Sequence, residues 1–342
     1  MIMEQSVIFF KFRLRFTICS YCDKLSQLLS MRIISLFSGA GGLDLGLIQA
    51  GHEVVWANDI DSDAVATYRK NIGDHIVHDD IKNIDITTLP DADVVVGGFP
   101  CQGFSQANLL RKVEDSRNQL YKFFYETIRI KQPKFFIAEN VRGILSLGKG
   151  CAIKQIVEDF SAAGYETQVN IAYMPNFGVP QTRTRVFIIG KRKDLPMNVS
   201  FEFPQQTHSQ GGKDGYKPWR SIKDALHHFP DPDQPNDVVN HIYSAYKLAF
   251  RDFTGHRPTN PDKPCPTILA RGNGQGGVCA IPHYNGQRRL TIRESASIQT
   301  FPESFEFIGA MNSCYRQIGN AVPVAFSKLL GIELKRIESR QL

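Results

Sequence analysis

The chain has 342 residues, 42% hydrophobic, 22% charged and 11% aromatic, with 40 Lys and Arg against 34 Asp and Glu for a net charge of +6. That length suggests about two domains, and the composition excludes a disordered chain, which would be poorer in aromatics and higher in net charge. Seven irregularly spaced cysteines exclude a disulfide-stapled small fold, no run approaches the ~18 apolar residues of a membrane span, and the mild positive charge is compatible with a polyanionic partner without proving one.

The first 30 residues show no regular pattern. Lys11, Arg13 and Arg15 interrupt what would be the apolar core of a signal peptide, and no small-residue cleavage site follows. Cys19 and Cys22 form a lone CxxC without a second pair at zinc-ligand spacing, so no metal is expected. Residues 1–30 read as an extension ahead of Met31, and a cytoplasmic location with reduced thiols is expected.

From Met31 onward, strands and helices alternate. Residues 32–37 read as a buried strand, followed by Ser38-Gly39-Ala40-Gly41-Gly42 and a helix over 43–50 that Gly51 ends. Strands follow at 53–57, 75–77 and 93–97, with a helix over 64–71. The segment 93–97 is apolar on both faces, as a central parallel strand should be, and 135–138 and 186–189 repeat that character. Helices are predicted over 119–130 and 153–163. The alternation predicts an α/β fold with a doubly wound, mostly parallel sheet. Residues 191–289 shift to Pro, Gly, Asn, Asp and His without alternation, which marks a smaller, loop-rich lobe. Periodicity returns near 291–299 and in a last helix over 324–337.

In such a sheet, ligands bind beyond the carboxyl ends of the strands. The glycine run departs from the dinucleotide fingerprint, because Asp44 stands at the third glycine position. It still offers close backbone approach and the positive end of a helix. Asp59, at the end of the second strand, is placed to accept from ribose hydroxyls. A nucleoside without pyrophosphate points to S-adenosylmethionine; a structural turn and a solvated Asp are the alternative. Gly98-Phe99-Pro100-Cys101-Gln102 presents a cysteine on the same rim. It is a candidate nucleophile if its thiol pKa is lowered, or else a small buried hydrophobe. Glu139 adds a carboxylate to that rim, where capping is the alternative.

Taken together, these segments resemble the DNA cytosine-5 methyltransferases, of the prokaryotic restriction-modification type. Residues 37–46 are similar to the family's first motif, 98–105 to its Pro-Cys-Gln motif and Glu139-Asn140-Val141 to its Glu-Asn-Val motif. Gln181-Thr182-Arg183-Thr184-Arg185 matches Gln-x-Arg-x-Arg. Arg293-Glu294-Ser295-Ala296 with Gln299-Thr300-Phe301-Pro302 resembles the ninth motif, and residues 317–323 the tenth. The matches run in family order from about Met31 to the end, leaving out 1–30.

The resemblance implies a methyl transfer from S-adenosylmethionine to carbon 5 of a flipped-out cytosine in a specific double-stranded DNA sequence. It assigns to Cys101 the attack on carbon 6, which makes carbon 5 nucleophilic. Glu139 would hydrogen-bond ring nitrogen 3 and the exocyclic amine, a role that requires a proton on its carboxyl. Arg185, with Arg183 nearby, would face the base carbonyl or neighbouring phosphates. The cofactor contacts implied are Phe37, Ser38, Gly39, Ala40, Gly41, Gly42, Asp59, Ile60, Asp80, Ile81, Leu120 and Asn320, with no metal. A catalytic and cofactor-binding domain would span 31–190, completed by 310–342, with target recognition in 191–309. Trp219 and the run Arg271-Gly272-Asn273-Gly274-Gln275-Gly276-Gly277 are candidates for reading DNA. Double-stranded DNA is the implied partner, with a restriction endonuclease acting on the same site as a second; a monomer is expected. The competing readings are the tRNA-methylating branch of the same family, a nucleotide-dependent dehydrogenase, and a non-catalytic DNA-binding relative.

Overall fold

The computed structural model describes residues 30–99, 119–244, 259–270 and 281–339. Cys101, the CxxC of the first 30 residues and the run 271–277 lie outside them. Seven strands form one sheet: β1 (Arg32–Leu36), β2 (Glu53–Asp59), β3 (Ile76–His78), β4 (Val94–Gly97), β5 (Phe135–Val141), β6 (Tyr165–Tyr173) and, after the two-residue β7 (Gln181–Thr182), β8 (Thr184–Arg192). Their order is β3-β2-β1-β4-β5-β8-β6. Pairing is parallel from β3 to β5, and β8 runs antiparallel to both neighbours. The sheet is therefore mostly parallel with one reversed strand, as the alternation predicts.

Alternating side chains feed two apolar layers. Ile33, Val94, Val96, Phe135 and Ile137 enter one, and Ile34, Leu36, Val95, Phe136 and Ala138 enter the other. Helices α1 (Gly42–Gln49) and α2 (Ser62–Asn71) cover the first layer. Helices α3 (Gln119–Lys131) and α4 (Cys151–Ala162) cover the second. Burial on both faces explains why the central strands read as continuous apolar runs. The sequence pattern misses β6. It is an edge strand whose Glu166, Gln168 and Asn170 break the apolar run, and most of its residues are partly or fully exposed.

In the lobe, β9 (His208–Ser209) pairs with β10 (Lys217–Pro218), and β11 (Cys265–Pro266) pairs with β7. Helix α5 (Ile222–Leu226) and helix α6 (Ile292–Ile298) carry capping boxes closed by Asp224 and Glu294. Together with α7 (Met311–Asn320), they share a third apolar cluster that includes Leu226, Leu290, Phe301, Phe305, Tyr315 and Ile318. The last helix, α8 (Val324–Ser339), returns to the first layer and lies against α1. Two glycines allow that approach. A Cβ at Gly46 would lie 2.5 Å from Val324 O, and one at Gly331 would lie 2.5 Å from Ala50 Cβ.

Candidate active site

A cavity of about 880 Å³ opens over the carboxyl ends of β1, β2, β4 and β5, the region where an open α/β sheet binds ligands. Its first wall is the turn after β1. Phe37 adopts φ +56°, a left-handed conformation rare for an aromatic residue. The neighbouring Ser38 N–H donates to Asn58 O at 2.9 Å, which holds the turn against β2. Gly39 also has φ +56°, and a Cβ there would meet nothing within 4 Å among the described residues. Its N–H donates to Asp59 Oδ2 at 2.7 Å, and the Asp61 N–H donates to Asp59 Oδ1 at 2.9 Å. Burial raises the Asp59 pKa despite these bonds. A carboxylate has about four acceptor sites, so Asp59 retains capacity for ribose hydroxyls.

The glycine turn rests on a buried polar network. Asp44 is fully buried and accepts from Ser35 Oγ at 2.7 Å and Tyr68 OH at 2.8 Å. Ser38 Oγ donates to Ser35, and His75 Nε2 lies 3.0 Å from the Tyr68 hydroxyl. Desolvation pushes the Asp44 carboxyl up to about 6, against the pull of its two hydrogen bonds. The sequence uses Asp44 only to exclude a fingerprint; in the fold it anchors the turn.

Of the expected cofactor contacts, Phe37, Ser38, Gly39, Ala40, Gly42, Asp59, Ile60, Asp80, Ile81, Leu120 and Asn320 line the cavity. Gly41 does not: a Cβ there would strike Ile72 and Tyr68 in the layer beneath. Asp80 caps the turn Ile81–Asn83, accepting from Lys82 N–H at 3.1 Å. Asp61 and Arg316, which no motif flagged, also line the cavity.

Glu139 and Arg185 meet at the far side. Phe187 is the register partner of Glu139, and Arg185 stands two residues before it on β8, hence on the same face. Arg185 Nε lies 2.8 Å from Glu139 Oε1, and both side chains are nearly buried. Among the described residues no N–H is aligned on Oε1 as a hydrogen bond, and the two charges pair at contact distance. A Cβ at Gly98 would lie 3.1 Å from Oε2, so the glycine makes room for this carboxylate. Asn140 donates to Phe99 O at 3.0 Å and so ties the end of β5 to the stretch after β4.

Arg183 lies elsewhere, and its expected reach toward base or phosphate needs correction. It is fully buried and does not line the cavity. Its guanidinium donates to three main-chain carbonyls, those of Ile268 (3.1 Å), Gly319 (3.0 Å) and Ala321 (3.0 Å). Desolvation lowers its pKa to about 9, with Arg185 adding to the effect. Gln181 and Gln299 continue this support. Gln181 accepts from Ile268 N–H and donates to Gln299, which in turn donates to Ile318 O. Ile268, Gly319 and Ala321 are cavity-wall residues, so Arg183 braces the wall from behind. Among the described cysteines, Cys265 and Cys314 are buried with raised thiol pKa values, and Cys151 is exposed outside the cavity.

Comparison with known proteins agrees with this geometry. Residues 31–336 match the family model described as C-5 cytosine-specific DNA methylase. The chain is 40% identical to the type II methyltransferase M.NgoFVII of Neisseria gonorrhoeae, over 85% of this chain and 83% of that protein. It is 37% identical to the type II methyltransferase M.FnuDI of Fusobacterium nucleatum, over 89% and 94% of the two chains. In fold it is similar to the S. pombe Dnmt2 methyltransferase, with a TM-score of 0.68 at 20% identity, over 91% of this chain and 99% of that one. The chain belongs to the C-5 cytosine-specific DNA methylase family.

Proposed function

We propose that the cavity holds S-adenosylmethionine beside a cytosine flipped out of double-stranded DNA, and that Cys101, Glu139 and Arg185 act on that base. The observation that carries this reading is the nearly buried Glu139–Arg185 pair, a carboxylate and a guanidinium at contact distance on the cavity wall. A carboxylate beside a guanidinium complements the cytosine edge, because the amine donates to the first and the carbonyl accepts from the second.

The other residues fit the donor. S-adenosylmethionine, when bound, supplies an electrophilic methyl group on a positively charged sulfur. Asp59 would hold the ribose, Asp80 the adenine edge, and Phe37, Ile60, Ile81 and Leu120 the adenine faces. The turn 38–42 and Asn320 would hold the remainder. Arg183 we assign to bracing the wall. The thiolate of Cys101 would add to carbon 6, making carbon 5 the nucleophile that accepts the methyl group; removal of the carbon-5 proton by a base would then expel the thiolate and restore the ring. Glu139 would share its proton with ring nitrogen 3 as the thiolate adds. Residues 191–309 would read the target sequence. The named relatives are type II methyltransferases, which supports modification of a specific site against an endonuclease of matching specificity; the cytoplasm is the location that this reading entails.

Fluorocytosine DNA tests this reading, since fluorine cannot leave carbon 5 as a proton does. Enzyme, S-adenosylmethionine and such DNA should give an adduct that survives denaturation and disappears in Cys101→Ser. Glu139→Gln should slow its formation by ~10²–10⁴-fold, the scale of general acid–base catalysis, and leave cofactor binding nearly intact. An adduct on Cys151 or Cys265, or methyl transfer to tRNA in place of DNA, would refute it.

A further inference from the structure

Asp61 and Arg316 face each other at the cavity, and both line it. Arg316, on α7, donates from Nη2 (2.7 Å) and Nε (3.1 Å) to Asp61 Oδ2. The other oxygen of Asp61 caps α2, accepting from Asp63 N–H (3.1 Å) and Ala64 N–H (3.5 Å). Its main-chain N–H is the one that holds Asp59 Oδ1. The two residues are 255 positions apart in sequence and come from different elements of the cavity lining. One sits on the rim after β2; the other lies one helical turn before Asn320.

This pair is the last rung of a seam between α2 and the segment leading into α7. At the far end, Asn71 exchanges two hydrogen bonds of 2.8 Å with the main chain of Glu306. Next, Ile308 N–H donates to Thr67 Oγ1 at 2.9 Å. Then Gly309 approaches Asp63 so closely that a Cβ would lie 2.4 Å from Oδ2. None of these residues lines the cavity, and together they hold the seam whether or not the fourth rung is made. The fourth alone reaches the cavity, and it is partly exposed: 45% for the Arg316 side chain and 28% for that of Asp61.

We propose that Asp61 and Arg316 form a clasp across the cofactor cavity that sets how tightly the cofactor is held; this rests on the S-adenosylmethionine reading above. Both are positioning residues. Arg316 acts through α7 on the placement of Asn320, and Asp61 acts through its N–H on Asp59. A partly exposed ion pair adds little to fold stability and is screened by salt. Here, however, it joins two walls that must both contact an enclosed ligand, so its contribution is realised in binding.

The test measures S-adenosylmethionine binding by calorimetry and steady-state methylation kinetics at low and high salt. The variants are Asp61→Asn, which keeps a competent helix cap, Arg316→Ala, their combination, and Arg316→Lys. At low salt each of the first two should bind the cofactor about 3- to 5-fold more weakly, the scale of one such ion pair. Cofactor KM should rise by the same factor, and kcat at saturating cofactor should move far less. The combined variant should be no weaker than either single one, Arg316→Lys should recover most of the loss, and high salt should bring the wild type down to the variants. Single variants that bind as tightly as the wild type would overturn the clasp. So would losses that add in the combined variant, persist unchanged in high salt, or fall on kcat alone. A wild-type enzyme that fails to bind S-adenosylmethionine would overturn the reading of the cavity itself, and the clasp with it.

Discussion

Asp44 carries a pH dependence whose sign follows from its surroundings. The carboxyl is fully buried beneath the glycine turn, and desolvation raises its pKa from 3.8 to about 6. A raised pKa means that the folded chain binds this proton more tightly than the unfolded one. The stability it contributes is therefore complete below about pH 3.8 and is lost as pH rises through about 6. The whole effect is about 3 kcal/mol, because each pH unit between the unfolded and folded values corresponds to about 1.36 kcal/mol. Between about pH 5 and about pH 7.5 it amounts to about 1.4 kcal/mol, a tenfold factor in the folding equilibrium. Asp44→Asn removes the titration and keeps the shape; its amide can accept from Ser35 and donate to Tyr68, whose hydroxyl can turn toward His75. Urea denaturation of both proteins across that range isolates the carboxyl, because His52, His75 and Asp59 titrate in both. The difference in unfolding free energy should shift by about 1.4 kcal/mol in favour of the variant as pH rises. Parallel curves would refute the reasoning.

Arg183 and Arg185 should separate by readout. Arg183→Met strands the buried carbonyls of Ile268 and Gly319 at a cost of about 1–3 kcal/mol each and leaves that of Ala321 only its longer bond from Gln299 Nε2, and should appear as a lowered urea midpoint; Arg185→Met, whose partner Glu139 faces the cavity, should depress kcat with a smaller loss of stability. A stable, inactive Arg183→Met would return that residue to the base. Gly46→Ala should destabilise the fold by about 1–3 kcal/mol, the range for overpacking, and so lower the urea midpoint, because its Cβ would press on Ser327 and the Val324 carbonyl; an unchanged midpoint would show that α8 can shift.

The central strands are legible because burial on both faces writes itself as apolar runs, and the rim residues because family order places them there. The motif resemblance groups Arg183 with Arg185, and the fold separates them. Residues 183 and 185 share a face only if one strand contains both, and β8 begins at Thr184. Arg183 instead sits in the break after β7, where its N–H donates to Gln181 O and its carbonyl accepts from Met174 N–H. A single residue's departure from extended geometry turns a side chain from the ligand to the core. No composition or spacing reports it.

The same consideration explains why so many buried polar groups lie under one edge of the sheet. Loops at the carboxyl rim have main-chain groups that no strand pairs, and a cavity wall cannot leave them all to water. Each needs a side-chain partner from below. Arg183 takes three carbonyls, Asn58 takes those of Val77 and Asp79, Asn140 takes that of Phe99, and Gln299 takes that of Ile318. Asp59 does the converse, accepting main-chain N–H groups from two turns at once. Polar residues that would weaken a core elsewhere thus fix the position of the loops that meet cofactor and base. A substitution among them should disturb binding geometry at a distance, although the altered side chain touches neither ligand.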